Sequence, residues 1–305
     1  MKVLLAGASS YIGTRLIPVL LQKGHKVFCL VRDKNHFHQH NPNAAKVTVI
    51  SGDLLRRQSM EAFPTDIDVA YYLVNSFTQT SGFAALGALS AQNFVDSLDR
   101  VNCRQVITLS DICSEDSESC QSRLLVEEVL ENGRAALTIL NSAMIIGEAS
   151  IALEMFHILT SKAPVVIAQN WAKVHAQPIA AIDVLGYLED CLLNEETFNC
   201  KFDIGGPEVL LFRQMLLMYI ATYRDFKPKI VTLPFLGSQL SSHLLNLLTT
   251  VSYPEAQTLI ENLKSDTTCH DDSINEIIPR RCLTFKQSLR LSRDANEKVL
   301  SHLTT

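Results

Sequence analysis

The stretch Met1-Lys-Val-Leu-Leu-Ala-Gly7-Ala-Ser-Ser10-Tyr-Ile-Gly13 decides the fold. Its apolar start predicts a buried strand, and its glycines predict a tight turn that opens into a helix near Gly13. A strand, a glycine-rich turn and a helix N-terminus bring outward-pointing N–H groups together with the positive end of a helix dipole. This arrangement is typical of a pyrophosphate site, so the sequence predicts dinucleotide binding.

The turn differs from a full G-x-x-G-x-x-G motif at its second glycine, which Ser10 replaces. That glycine normally lets the backbone approach the pyrophosphate closely. Ser10 adds a Cβ there, but its hydroxyl is able to donate to a phosphate oxygen. A βα turn that binds nothing is the alternative interpretation. The turn residues that we expect to contact a dinucleotide are Gly7, Ser9, Ser10, Tyr11, Ile12 and Gly13.

Composition limits the possible functions. The chain has 305 residues, of which 47% are hydrophobic and 19% charged, so we expect a globular protein. A net charge of −5 disfavours a nucleic-acid partner, which needs a basic face. We find no apolar run of about 18 residues and expect no membrane span. The eight cysteines form no C-x-x-C pair, which favours free buried thiols over a disulfide framework and indicates a cytoplasmic protein.

Short apolar runs alternate with helical patterns through the first half of the chain. This alternation predicts an α/β fold, a Rossmann-like doubly wound parallel sheet. The helices expected there are Thr14–Lys23, Ser90–Asp99 and Leu124–Glu131. The expected strands are Lys2–Ala6, Lys26–Val31, Val47–Ser51, Val69–Leu73, Gln105–Leu109 and Ala136–Leu140.

The second half is less regular and predicts a smaller, mostly helical C-terminal lobe. We place the dinucleotide domain at residues 1–150 and the substrate lobe at 151–305, and expect strands near 164–168 and 199–204 to join the first sheet. The remaining expectations are helices over Leu153–Thr160, Ile182–Leu193, Phe212–Thr222 and within 234–265, and a loop over 266–281.

The end of the second strand discriminates between cofactors. Folds that prefer NAD usually place a carboxylate there, but this chain has Val31 followed by Arg32. A guanidinium suits a 2′-phosphate, so Arg32 favours NADP. NAD stays possible because Asp33 is able to reach a ribose.

Later strand ends supply further candidates, since ligands of such sheets bind at the carboxyl ends of the strands. Asp53 and Leu54 follow the third strand, where a carboxylate accepts from an adenine amino group or caps the next helix. Leu73 and Asn75 stand at and beyond the end of the fourth.

His36, His38 and His40 suggest a metal site at first sight. Alternate positions share one side only in an extended strand, and the flanking polar residues predict a loop instead. Because no Cys or carboxylate cluster completes the set, we expect no metal.

Several segments together resemble a known family. The chain resembles the atypical short-chain dehydrogenase/reductases of the NAD(P)H-binding, NmrA-like group, and within it bacterial nucleoside-diphosphate-sugar-epimerase-like proteins. The resemblance implies a Rossmann fold, a bound nicotinamide dinucleotide and a C-terminal substrate lobe. It is carried by GASSYIGTRLIPVLLQKGHKVFCLVR at 7–32, GDL at 52–54, AYYLVNS at 70–76, SRLLVEEVL at 122–130, QPIAAIDVLGYL at 177–188 and FDIGGPEVL at 202–210.

The chain differs from the family that it resembles in the catalytic motif. Active members of the wider superfamily use Y-x-x-x-K on a helix after a strand-end serine, with the tyrosine as general acid and base. Here the serine corresponds to Ser110 and the motif to Ser119-Cys-Gln-Ser-Arg123, and no tyrosine stands between Tyr72 and Tyr187. A serine without an adjacent base is a poor proton donor, and arginine does not release a proton. The catalytic candidates are therefore Ser110, Ser119 and Arg123.

Two classes of function stay open. One is an NAD(P)-dependent oxidoreductase-like or epimerase-like enzyme with a small-molecule substrate and a non-standard active site. The other is a dinucleotide-binding redox sensor or regulatory protein without turnover, or a subunit that keeps the cofactor for stability. His175 with Gln177 is the best remaining acid–base pair, although a lone histidine is more often structural. Other polar or aromatic candidates are Asn141, Glu148, Glu154, His157 and Trp171.

Overall fold

A seven-stranded parallel sheet forms the centre of the molecule. The computed structural model describes residues 1–60, 63–74, 83–113, 118–161, 165–168, 173–224, 229–232 and 265–303. The strands described there are β1 (Lys2–Ala6), β2 (Lys26–Val31), β3 (Thr48–Ser51), β4 (Val69–Tyr72), β5 (Gln105–Asp111), β6 (Ala136–Ser142), β7 (Ile145–Ile146), β8 (Val165–Ala168), β9 (His175–Ala176), β10 (Ile179–Ala180), β11 (Cys200–Ile204), β12 (Leu210–Leu211) and β13 (Lys229–Thr232).

The strand order of the main sheet is β11-β6-β5-β4-β1-β2-β3. All of its neighbouring pairs are parallel. The chain turns from one half of the sheet to the other between β1 and β4, which creates a crevice at their carboxyl ends. The predicted Rossmann-like doubly wound fold is confirmed.

Helices cover both faces of the sheet. The described helices are α1 (Tyr11–Gln22), α2 (Lys34–His40), α3 (Phe83–Leu98), α4 (Glu118–Glu131), α5 (Ile151–Ser161), α6 (Ala181–Asp190), α7 (Phe212–Tyr223), α8 (Ile274–Ile277) and α9 (Phe285–Leu303).

Two cores pack on the sheet, one on each face. On one face, Leu16 of α1 and Val184 of α6 are fully buried against β1 and β2, and Ile274 of α8 joins this cluster. On the other face, Phe94 of α3 and Leu130 of α4 pack against β4 and β6. The second face of the sheet is therefore covered by α4, the helix that contains the segment Ser119–Arg123.

The segment of three histidines is a helix and not the loop that we predicted. Asp33 caps it by accepting a hydrogen bond from the His36 N–H at 2.9 Å. Phe37 is its single buried side chain, so the sequence carries almost no apolar periodicity. The cap, and not an apolar stripe, defines α2.

In the second half of the chain, some strand pairings and one segment differ from the prediction. β11 pairs with β6 in the main sheet, whereas β8 pairs with β13 in a separate two-stranded sheet. The predicted loop over 266–281 contains α8. The helices predicted within 234–265 lie outside the described residues. Within the part of the chain that is described, no helix has the length and apolar character needed to cross a membrane.

The expectation of free thiols is wrong for two of the eight cysteines. Cys113 and Cys120 form a disulfide, and the other six cysteines are free. Cys113 follows β5 and Cys120 lies in the first turn of α4, so the fold brings together two thiols whose sequence spacing suggests no pairing.

Candidate functional site

The glycine turn after β1 is shaped by two close backbone approaches. Gly7 has φ +87°, and a Cβ added there would stand 2.6 Å from the carbonyl carbon of Leu73 at the end of β4. A Cβ at Gly13 would stand 2.9 Å from Ser10 Oγ and would press on the Gly7 carbonyl. Only glycine fits either position, because the turn packs directly against the backbone after β4 at Gly7 and against its own atoms at Gly13.

Ser10 is the N-cap of α1. Its Oγ accepts a hydrogen bond from the Gly13 N–H at 3.0 Å, and its carbonyl accepts from the Thr14 N–H at 2.9 Å. The N–H groups of Tyr11 and Ile12, at the first two positions of α1, have no carbonyl acceptor within the helix. The Ser10 Oγ that was expected to donate to a phosphate therefore serves as a cap acceptor, while its own proton remains available to donate.

The Tyr11 side chain links this turn to the chain that follows β7. The Arg15 guanidinium lies 3.9 Å from the centre of the Tyr11 ring, and Arg15 Nη2 donates to the Glu148 carbonyl at 2.7 Å. Burial raises the pKa of the Tyr11 phenol above its ordinary value. The phenol is thus a neutral packing group beneath the turn, next to Gly147.

At the end of β2 the two charged candidates have different surroundings. Both residues are exposed, but Asp33 caps α2 by accepting from the His36 N–H, and Arg32 has no such role in a helix cap. This places a guanidinium at the carboxyl end of the strand beside β1, next to the glycine turn.

The candidates after β3 and β4 lie on the same edge of the sheet. Asp53 Oδ1 accepts from the Leu55 N–H at 3.0 Å, and Arg56 Nε lies 3.7 Å from Asp53 Oδ2. The carbonyl of Leu54 accepts from the side chain of Asn93 at 2.7 Å. Asp53 therefore shapes its own turn. Leu73 is buried and contributes the carbonyl under Gly7, and Asn75 lies outside the described residues.

Three polar side chains stand in one row across the carboxyl edge, on the face covered by α4. Ser110 on β5 is paired in register with Asn141 on β6, and Asn141 with Asp203 on β11. Asn141 Nδ2 donates to Asp203 Oδ1 at 3.1 Å, and the second Asp203 oxygen accepts from the His270 N–H at 2.8 Å. Sequence reasoning missed Asp203, because only the register of the sheet brings it beside Asn141.

Arg123 is bound to the end of β5 and does not project freely. Its Nη1 donates to the Asp111 carbonyl at 3.2 Å, and its Nη2 lies 3.1 Å from Asp111 Oδ2. Ser119 lies one turn earlier on α4, and its side chain is outside the described set. The expected ribose-binding cation is therefore engaged with the protein itself.

Of the remaining candidates, His175 and Gln177 serve as structural anchors. His175 Nδ1 lies 3.2 Å from Asp266 Oδ2, and Gln177 accepts from the Cys269 N–H at 3.0 Å and donates to the Gly206 carbonyl at 2.9 Å. These bonds attach the segment after residue 264 to β9 and to the chain that follows it, and attach Gln177 to the chain after β11. Glu154 and His157 are exposed on α5, and Trp171 lies outside the described residues.

A cavity of 730 Å³ opens beside the end of β11 and was not anticipated from the sequence. Gln177, Asp203 and Arg280 line it, together with Tyr187 and Cys269. Burial raises the pKa of the Cys269 thiol to about 12, and nearby carboxylates add to the effect. The thiol is therefore neutral and a poor nucleophile at physiological pH.

Metal ligands are sparse in the described ranges. No three His, Cys, Asp or Glu side chains there lie close enough to hold a metal ion. The rings of His36 and His40 stack 4.1 Å apart, and His40 Nδ1 contacts the His36 carbonyl at 2.8 Å.

The turn fits a dinucleotide by its own geometry. Gly7 lets the turn pack directly on Leu73, and Gly13 lets α1 begin directly on the turn, so the N-terminus of α1 lies at the carboxyl end of β1, where N–H groups of a first helical turn bind anions. No acidic residue stands in the first turn of α1, so an anion meets no like charge from that turn.

Comparisons with known proteins agree with this geometry. Residues 7–144 match the family model described as NAD(P)H-binding. Among curated proteins, no sequence matches significantly. The chain therefore contains an NAD(P)H-binding domain.

Solved structures share the fold over almost the whole chain. Triphenylmethane reductase from Citrobacter sp., complexed with NADP(H), has a TM-score of 0.73 at 14% identity, covering 96% of this chain and 100% of the other. A nucleoside-diphosphate-sugar epimerase from Staphylococcus aureus has a TM-score of 0.71 at 13% identity, with coverages of 95% and 100%. A short-chain dehydrogenase/reductase superfamily protein from Agrobacterium tumefaciens with bound NAD has a TM-score of 0.70 at 13% identity, with coverages of 100% and 99%.

At these identities the likeness concerns the fold. The family match confirms an NAD(P)H-binding domain over residues 7–144, and the solved structures confirm the Rossmann-like fold over almost the whole chain.

Proposed function

We propose that this protein binds NADP(H) in preference to NAD(H) and uses it as an oxidoreductase with a non-standard active site. The pyrophosphate would lie on the turn from Gly7 to Gly13, held by backbone N–H groups and the Ser10 hydroxyl. The adenine would lie near Asp53 and Leu54, and the nicotinamide near Ser110. When bound, the nicotinamide supplies or accepts a hydride.

The cofactor preference rests on the different positions of Arg32 and Asp33, since Asp33 caps α2 and Arg32 does not. One oxygen of the Asp33 carboxylate accepts from the His36 N–H, which holds this side chain at the start of α2. Arg32 offers an exposed guanidinium at the end of β2. A guanidinium forms charge-assisted bonds with a 2′-phosphate that a ribose hydroxyl does not offer.

The test is isothermal titration of NADPH and NADH into the protein and into Arg32→Gln. A hydrogen bond to a charged group contributes about 1.5–3 kcal/mol, so the Kd for NADPH should rise by about 10- to 150-fold. The Kd for NADH should change by less than about twofold, because NADH lacks the 2′-phosphate. Arg104→Gln is the matched control, since Arg104 is an exposed arginine that precedes β5 at the opposite edge. Equal losses for both cofactors would contradict the assignment of Arg32.

A second candidate is a dinucleotide-binding sensor without turnover. The contacts of Arg123 with Asp111 favour it, because a guanidinium held at two points is not free to orient a ribose. Consumption of NADPH over a panel of aldehydes, ketones and quinones separates the two candidates. Turnover that falls in Ser110→Ala but not in Ser97→Ala, a buried serine within α3, would support the enzyme. Binding without turnover would support the sensor.

A further inference from the structure

The Cys113–Cys120 disulfide stands at the edge of the proposed nicotinamide site. Cys113 comes two residues after Asp111, the last residue of β5, and Cys120 lies in the first turn of α4. The two Cα atoms are 5.8 Å apart. The bond therefore connects the strand that ends with Ser110 and Asp111 to the start of the helix that carries Ser119.

A second connection lies one helical turn away. Arg123 is three residues after Cys120, so both side chains lie on one face of α4. Arg123 contacts the Asp111 carbonyl and carboxylate at 3.2 and 3.1 Å. The N-terminus of α4 is thus attached to the end of β5 by one covalent and one ionic link. Only the covalent link depends on redox conditions.

The two cysteine residues differ in exposure. Cys120 is 5% exposed, whereas Cys113 is half-buried. Thiol–disulfide exchange begins when a thiolate attacks one sulfur, so an incoming thiol reaches Cys113 more readily. Cys120 then becomes the leaving group.

We propose that Cys113 and Cys120 form a reversible dithiol–disulfide site that controls the order of the α4 N-terminus beside the cofactor. A thiolate of an external dithiol attacks Cys113 Sγ, the Cys113–Cys120 bond breaks, and Cys120 takes up a proton. The second thiol of the reductant then releases Cys113 as a thiol and closes its own disulfide. Two electrons and two protons pass from the dithiol to the protein.

The control of cofactor affinity rests on the proposed dinucleotide binding. In the oxidised protein the first turn of α4 is fixed to β5 before the cofactor arrives. In the reduced protein binding must also order this turn, which lowers the affinity. Reduction therefore weakens binding of NADP(H).

The first experiment counts thiols. After oxidation by diamide and denaturation, alkylation should modify six cysteines, and after treatment of the folded protein with dithiothreitol it should modify all eight. Peptide mass spectrometry should assign the difference to Cys113 and Cys120. Eight modified cysteines after oxidation, or resistance of the folded protein to reduction, would overturn the proposal.

The second experiment measures NADPH affinity and hydrogen exchange in both oxidation states. Reduction should raise the Kd at least about fivefold, the lower end of usual coupling between sites. Exchange at residues 118–123 should accelerate at least about tenfold, as for a helix end that opens locally. Cys113→Ser should behave as the reduced protein in either state. Cys200→Ser, which removes a free cysteine at the start of β11, should keep the full redox response.

The outcomes separate the two proposals. An unchanged Kd and unchanged exchange would overturn the control of α4. No NADPH binding in either state would refute the proposed function, while the thiol count and the exchange rates would still decide the disulfide site.

Discussion

Gly7→Ala probes the closest approach in the dinucleotide turn. Gly7 has φ +87°, a conformation that costs an L-residue about 1–2 kcal/mol. The new Cβ would stand 2.6 Å from the Leu73 carbonyl carbon, whereas carbon atoms normally approach to about 3.5 Å. Because that carbon belongs to the backbone leaving β4, relief requires movement of the sheet or the turn. Such overpacking costs about 1–3 kcal/mol, so the total loss should be about 2–5 kcal/mol.

Gly24→Ala supplies the matched control. Gly24 follows α1 with φ +76°, and a Cβ there would meet no atom within 4 Å. This variant should lose only about 1–2 kcal/mol, the cost of the backbone conformation. Comparing the two variants therefore isolates the steric contribution of about 1–3 kcal/mol at the turn.

Calorimetry and cofactor titration check the pair. For a chain of 305 residues, 1 kcal/mol corresponds to about 1.6 °C in Tm. Gly7→Ala should melt about 2–5 °C below Gly24→Ala. It should also lose most of the shift of about 2.7 kcal/mol that NADPH gives the parent protein at 100 times its Kd. If Gly7→Ala matched Gly24→Ala in both Tm and NADPH affinity, the close approach to Leu73 would not shape the site.

Three further variants test other parts of the structure. Ser10→Ala removes the acceptor for the Gly13 N–H and should cost about 1 kcal/mol, seen as a Tm lower by about 1.6 °C. Cys113→Ser opens the eight-residue loop between 113 and 120 and should cost the oxidised protein about 2.5 kcal/mol in urea unfolding, and the reduced protein almost nothing. Burial raises the pKa of Asp183, so its ionisation opposes folding. The Asp183→Asn variant should therefore have the larger free energy of unfolding at neutral pH. The two free energies should converge as the pH falls through the raised pKa, because the parent carboxyl is then protonated. A gap that stayed constant between neutral and acidic pH would contradict the assignment to Asp183.

Local pattern was enough to predict the first strand, turn and helix. The apolar run Lys2–Ala6 and the glycines at 7 and 13 each act within a few residues, and the sheet follows from repeated alternation of such units. α2 was missed for the same reason, because a helix with one buried side chain has no stripe to detect.

Contacts between segments far apart in the chain could not be predicted from the sequence. Asp203 meets Asn141 only through the register of β11 against β6, which neither strand encodes alone. The pairing of β8 with β13 likewise depends on where a long connection returns. The disulfide forms because the end of β5 and the start of α4 lie close together in space. The sequence predicts the strand and the helix, but it does not predict the distance between them.

The packing of α6 against α1 has a consequence for biosynthesis. Leu16 of α1 and Val184 of α6 are fully buried in one cluster, although α6 begins only at Ala181. A ribosome-bound chain that has emerged only through β6 therefore displays an apolar surface on α1 that α6 does not yet cover. This surface is covered only after α6 has left the exit tunnel, so chaperone occupancy on nascent chains should persist until that point.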